Sequence, residues 1–326
     1  MCGTVISDRH ATFARLAAAL IAASGLLLVS AAPSHAQGDR PGSTAAEFLR
    51  IGVSARAAGL AGAYMGVVDG AYATYYNPSG LTWQSDGVHV ALNHASWFDG
   101  INHEFLAVSS NVENIGSFGV SVTTLYTDAM DETTPLDQGG TGKTFRASDL
   151  RVGLSYARQF TGNVSFGGSL NFVNETLFEG FSEQAYSLDI SASYRAGYRN
   201  FQFGMMIANV GTEIEFVDES YPLPTRFEFG GKIDALNRGS QRVMIAASGL
   251  KPNNSPPLAR LGLEYAFSEL LFLRGGYHVN HSVKQFAFGG GLNLEVDGGY
   301  QFRADYSYSD FSLLGAAHRF GATITI

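Results

Sequence analysis

The chain has 326 residues, with 21 Lys plus Arg against 29 Asp plus Glu and a formal charge of −8. That acidic balance excludes a nucleic-acid binder, which needs a basic footprint. Its single cysteine, Cys2, excludes a disulfide scaffold and a thiolate metal site.

Residues 1–36 have the layout of a secretory signal. Arg9 and Arg15 carry positive charge, Leu16–Ser30 is an apolar run, and Ser34 and Ala36 are small residues before a cleavage ahead of Gln37. The run is shorter than the ~20 apolar residues of a membrane-spanning helix. Removing Asp8, Arg9 and Arg15 takes 21 basic and 29 acidic side chains to 19 and 28, a net of −9, and also discards Cys2. No later segment approaches ~18 continuous apolar residues, so helical spans are excluded. An exported chain of this kind is a periplasmic or secreted globule, or an outer-membrane barrel.

Residues 38–86 do not alternate. The stretch SARAAGLAGAYMGVVDGAYATYYNPSGL, 54–81, is rich in small and aromatic residues. Asp69 is placed to cap a one-turn helix over Gly70–Thr74. Asn77, pushed out of the helical region by Pro78, is placed to close an Asx-turn before Ser79 and Gly80. Gly59, Gly62 and Gly66 permit close backbone approach. So short a set of side chains suits a confined space, and residues 37–86 are predicted to form a plug in the periplasmic mouth of a barrel.

From residue 87 the period is two. Tyr186, Leu188, Ile190, Ala192 and Tyr194 alternate with Ser187, Asp189, Ser191, Ser193 and Arg195, and Tyr300–Tyr308 repeats the pattern. About fourteen such segments are predicted, near 88–97, 102–110, 115–126, 147–158, 163–176, 184–195, 200–209, 225–233, 241–249, 258–267, 270–279, 285–296, 299–308 and 317–326. Ten residues at ~3.3 Å each and ~40° of tilt rise ~25 Å, the height of a lipid-facing band. Connections after even-numbered strands are mostly short and those after odd-numbered strands longer. Short periplasmic turns and long outer loops give this parity. Asp99–Ile101 and Asp234–Ser240 break it. The expectation is an all-β, transmembrane antiparallel barrel over 87–326 in the outer membrane.

Aromatics near strand ends, among them Trp97, Tyr156, Tyr194, Phe267, Tyr277 and Tyr306, suit interfacial girdles. Strand glycines such as Gly167 and Gly289 suit tight curvature and close packing in the lumen. Twelve charges take one face of their strands: Arg151, Asp189, Arg195, Arg226, Glu228, Arg260, Glu264, Arg274, Glu295, Arg303, Asp305 and Arg319. On a lipid face each costs about 2–4 kcal/mol at midplane, which together exceeds a domain's ~5–15 kcal/mol of stability. They are therefore predicted to line the lumen, pair across strands and hold the plug.

Other motifs carry less. GGTGKT at 139–144 mimics a phosphate-binding loop, but Asp137 stands where that pattern needs glycine, and a strand pattern follows instead of a helix. His94, Ser96, His103 and Glu104 are close in sequence without forming a nucleophile–base–orienter set. Acidic loop residues Asp128, Asp131, Glu132, Glu213, Glu215, Asp218 and Glu219 read as solvated surface rather than a calcium loop. No cofactor, metal or catalytic residue is expected.

The segment FLRIGVSARAAGLAGAYMGVVDGAYATYYNPSGL, 48–81, resembles the opening of the PorV/PorQ family, a branch of the FadL-like fatty-acid transporter superfamily that shares an Asp…Asn-Pro-Ala-Gly pattern. Here Ser79 replaces the usual alanine. PLPTRFEFG, LGLEYAF, LFLRGGYHVN and FRADYSYSDFSLLGAAHRF are similar to that family's closing strands. The resemblance implies a fourteen-strand barrel with an N-terminal hatch. It also implies a part in type IX protein export, with secreted cargo or secretion components as partners beside the membrane lipid. The alternative is passive uptake of a hydrophobic ligand.

Overall fold

The computed structural model describes residues 40–326 apart from 41, 69, 179, 280–285, 297–298 and 313–314, and apart from the side chain of Phe98. The predicted signal segment, 1–36, and Asp69 lie outside the described residues.

Alternation at period two produces fourteen long strands. They are β1 (Val88–Ser96), β2 (Ile101–Val112), β3 (Gly116–Thr127), β4 (Ser148–Thr161), β5 (Val164–Phe178), β6 (Phe181–Arg195) and β7 (Gln202–Gly211), then β8 (Arg226–Arg238), β9 (Gln241–Pro252), β10 (Leu258–Phe267), β11 (Leu271–Val279), β12 (Phe286–Val296), β13 (Tyr300–Asp310) and β14 (Ala316–Thr325). Each pairs antiparallel with its sequence neighbours, and β14 closes on β1 from His89↔Thr325 to Ser96↔His318. Closure leaves no unpaired edge, as a lipid environment requires.

The two faces of the wall reverse the polarity of a water-soluble sandwich. Leu92, Leu106, Val120, Leu154, Ile190, Leu263, Leu273, Phe288 and Phe320 are exposed on the outside, whereas Asn93, Arg151, Ser169, Asp189, Glu264 and Arg274 are buried inside. Tyr156, Tyr194, Tyr277 and Tyr306 point outward. Trp97 does not join them. It turns inward and packs on Phe311, with ring centroids 5.1 Å apart.

One rim carries the tight turns and holds Val88 and Thr325; the other carries the longer connections. Two connections are shorter than the sequence pattern implies. β8 runs on to Arg238, past a bulge between Asp234 and Leu236, and turns directly into Gln241. β5 and β6 run on to a Phe178↔Phe181 pair. Two loops on the long rim build small hairpins of their own, Met130–Asp131 with Thr144–Phe145 and Ile214–Phe216 with Glu219–Tyr221. The GGTGKT stretch lies in the first of these and runs on into β4, not into a helix.

Residues 40–86 fill the barrel. The segment crosses the whole lumen and is not confined to one mouth. Arg40 N–H donates to Asn254 O at the loop rim, and Val88 begins β1 at the turn rim. Between them lie helix α1 (Ala55–Gly59), capped by Ser54 Oγ on Ala57 N–H, and helix α2 (Ala73–Tyr76). α2 stops at Asn77 (φ −168°, ψ 90°), which Pro78 forces into extended backbone, and Pro78 then opens a 3-10 helix to Trp83. The plug core is Val53, Leu60, Tyr64, Tyr72, Tyr75 and Leu81, packed on Ala91, Phe105 and Met244 of the wall.

Candidate functional site

The close fit between plug and wall follows from missing side chains. A Cβ at Gly66 would stand 2.7 Å from Gly231 Cα, and one at Gly167 would stand 2.5 Å from Ser79 N. Both are distances that a real Cβ does not show, so backbone meets backbone here and only glycine admits the approach.

Polar groups then fix the plug in place. Ser79 N–H donates to Ser191 Oγ (2.9 Å), Ser165 Oγ donates to Ser79 O (2.9 Å), and Trp83 Nε1 donates to Ser193 Oγ (2.8 Å). Within the Asn-Pro-Ser-Gly turn, Asn77 Nδ2 donates to Met65 O (3.2 Å) and Ser79 Oγ donates to Asn77 Oδ1 (2.6 Å). Gly80 N–H donates to Asn77 O (2.8 Å). Ser79 thus orients the amide that ties the turn back to Met65, which an alanine cannot do. Tyr72 OH donates to Leu92 O and Tyr75 OH to Leu49 O, each at 2.8 Å.

An ionic lock joins α1 to the wall. Glu264 on β10 is fully buried and accepts from Arg56 Nε and Nη2 (2.9 Å each), Arg274 Nε (2.7 Å) and Arg242 Nη2 (3.3 Å). Asp305 on β13 adds a second anion, 2.8 Å from Arg274 Nη1 and 3.0 Å from Arg303 Nε. The carboxylates are hemmed by guanidinium groups whose planar forks match them. Two smaller pairs stand elsewhere in the lumen: Arg151 with Asp189 (3.2 Å) and Arg260 with Glu228 (3.0 Å). Arg226 Nη1 reaches Leu49 O of the plug at 2.9 Å. Arg195 lies over the Trp83 ring at 4.8 Å.

Of the twelve predicted lumen charges, Glu295 takes the inward register but is exposed at the turn rim, and Arg319 is buried inside with no ion-pair partner among the described residues. Arg56, which the sequence reading did not single out, supplies the bidentate contact. Its signal was an isolated charge in a run of alanine and glycine. The wall separates the other candidates: His94 and Glu104 face outward, with His94 Nδ1 2.7 Å from Glu104 Oε1, while His103 is buried on the inner face. Among the described residues no group of three or more His, Cys, Asp or Glu is arranged to hold a metal ion.

The plug divides the lumen into two vestibules. The turn-side one, about 580 Å³, is polar and lined by Arg56, Trp83, Arg195, Lys232, Asp234 and Arg303 among others. The loop-side one, about 540 Å³, mixes Phe48, Ile51, Tyr75, Tyr76, Trp97, Leu250 and Phe311 with Arg226, Arg260 and Arg319. Both lie in the size range of small-molecule sites.

No protein-family model and no curated protein sequence matches the chain. Solved structures do resemble it. The CymD monoaromatic hydrocarbon channel is 14% identical, with a TM-score of 0.53 over 84% of this chain and 96% of that one. The Ralstonia pickettii toluene transporter TbuX is 14% identical, with a TM-score of 0.55 over 81% and 96%. A Pseudomonas aeruginosa FadL homologue is 11% identical, with a TM-score of 0.52 over 84% and 98%. The chain is thus similar in fold, a closed fourteen-strand barrel, to these three structures.

Proposed function

We propose that this chain is a non-enzymatic outer-membrane channel that admits small hydrophobic molecules through a lumen closed by its own N-terminal segment. The observation that carries the reading is the loop-side vestibule. It is a partly aromatic cavity of about 540 Å³ whose floor is the plug. The apolar outer wall supports insertion in a bilayer, with the short turns at the periplasmic rim and the long loops outside. The similar structures include a monoaromatic hydrocarbon channel and a toluene transporter. The division into a signal at 1–36, a plug at 37–86 and a barrel at 87–326 belongs to the same proposal. So does the lumen role of the twelve charges and of Asn77, Pro78, Ser79 and Gly80.

Membership in the PorV/PorQ branch rests on the quoted segments alone. The protein-export role that it implied has no counterpart among the three structures named above, and uptake replaces it here. The experiment is entry of radiolabelled toluene into Gram-negative cells that lack such a channel of their own. Expression of this chain should speed entry over the empty vector. Equal rates, with the protein folded in the outer membrane, would contradict the reading.

A further inference from the structure

One row of the inner wall buries polar groups that nothing else on the chain satisfies. His103 on β2, Ala95 on β1, Arg319 on β14 and Ser307 on β13 are successive cross-strand neighbours, so they stand side by side on four adjacent strands. Arg319 is 2% exposed and the other three are fully buried. Arg319 Nε and Nη1, both ring nitrogens of His103 and Ser307 Oγ meet no partner among the described residues. The guanidinium lies over the Trp97 ring, 5.5 Å from its centroid, which supplies no full counter-charge. The carboxylates of these four strands are engaged elsewhere. Glu104 faces outward to His94, Asp305 holds Arg274 and Arg303, and Asp310 accepts from Ser312 N–H. Asp149, in the loop-side vestibule, is on β4, four strands round the wall from β14.

Buried polar groups are normally hydrogen-bonded, and a buried charge is normally paired. Water would satisfy the N–H groups of Arg319 but leave its charge uncompensated; an anion does both. The row limits the size of that anion. Arg319 lines the loop-side vestibule, whereas His103 and Ser307 line neither vestibule. The ground that the three share is therefore on the wall side, under the plug. Neighbouring side chains in such a row start ~5 Å apart, and Ala95 fills its own place with a methyl group only. That gap suits one atom and not a phosphate or an organic acid. We propose that the row holds a single halide ion, chloride under ordinary conditions, between Arg319, His103 and Ser307 and above Ala95. The plug covers it. Gly321, the next inward residue of β14, lies so close to the plug that a Cβ there would stand 3.1 Å from Tyr72 Oη and 3.4 Å from Ala55 Cβ. The ion does for Arg319 what the Glu264 carboxylate does for Arg274, and the site does not depend on what the channel carries.

The chain has two tryptophans, and Trp83→Phe leaves Trp97 as the reporter beside Arg319. In that background, the folded barrel in detergent is titrated with potassium iodide, with potassium fluoride keeping the ionic strength constant. Iodide is both a halide and a heavy-atom quencher. The expected result is a saturable phase of quenching that chloride and bromide displace and that acetate and benzoate do not. Arg319→Gln should weaken the saturable phase at least tenfold and Arg319→Lys should weaken it less. Quenching that stays linear in iodide with Arg319 present would overturn the proposal. So would an Arg319→Gln protein that keeps its heat-modifiable migration and an unaltered saturable phase. Displacement by benzoate as effective as that by chloride would put the anion in the open vestibule and overturn the halide site. A second measurement needs no variant. Crystals of the unaltered chain grown in sodium bromide should show an anomalous-scattering peak between Arg319, His103 and Ser307, and no peak there would overturn the proposal.

Discussion

Arg56 Nε and Nη2 each lie 2.9 Å from a different oxygen of Glu264, so a plug helix and a wall strand share one two-pronged ionic contact. The two partners are not equivalent. Without Arg56, Glu264 keeps Arg274, Arg242 and Arg303. Without the Glu264 charge, four arginines (Arg56, Arg242, Arg274 and Arg303) lose a common anion. Arg56→Ala should therefore leave the barrel's unfolding temperature nearly unchanged while raising ion conductance in planar bilayers. Glu264→Gln should cost the barrel about 3–5 kcal/mol, the usual effect of breaking a buried pair, read as a lower temperature for loss of the heat-modifiable band on gels. Equal effects of the two changes would deny the asymmetry.

Adjacent residues on β13 test the register. Asp305 is buried inside against Arg274 and Arg303, whereas Tyr306 is exposed outside beside Phe320. Asp305→Leu should still insert, with weakened packing of the lumen. Tyr306→Asp puts a charge on the lipid face at a cost of up to about 2–4 kcal/mol, and membrane yield should fall. Yields in the opposite order would shift the register by one residue.

The Asn-Pro-Ser-Gly turn offers a graded pair. Ser79→Ala removes one hydrogen bond, to Asn77 Oδ1, and should loosen the plug by about 1 kcal/mol. Asn77→Ala removes that bond and the one to Met65 O, and should cost more. Protection of the plug amides in hydrogen exchange should fall in the order wild type, Ser79→Ala, Asn77→Ala.

A side chain at a contact glycine should displace the plug without touching the lipid face. Gly167→Val adds a Cβ that would meet Ser79 N at 2.5 Å and Pro78 C at 2.6 Å. The variant should insert, keep its gel migration and conduct more than wild type. Wild-type conductance would mean that the plug shifts to accept the new atoms.

Most of the wall was legible because one period decides it: Leu261, Leu263 and Phe267 could not face the lumen while Glu264 faced lipid. The strand ends were less legible. The extensions of β5, β6 and β8 are set by turn pairing at Phe178↔Phe181 and Arg238↔Gln241, to which hydrophobic alternation is blind. Trp97 read as a girdle residue from its place near a strand end. Its facing depends on Arg319 and Phe311, which are distant in sequence. Arg56 was missed for the same reason, since its partner lies 208 positions away.

The central claim is that residues 40–86 close a conducting lumen. Deletion of residues 42–82 tests it most directly, by single-channel recording in planar bilayers on protein that retains heat-modifiable migration. The intact chain should show little or no steady conductance, and the deletion should open large, long-lived channels. Equal conductance from the two folded proteins would contradict the account.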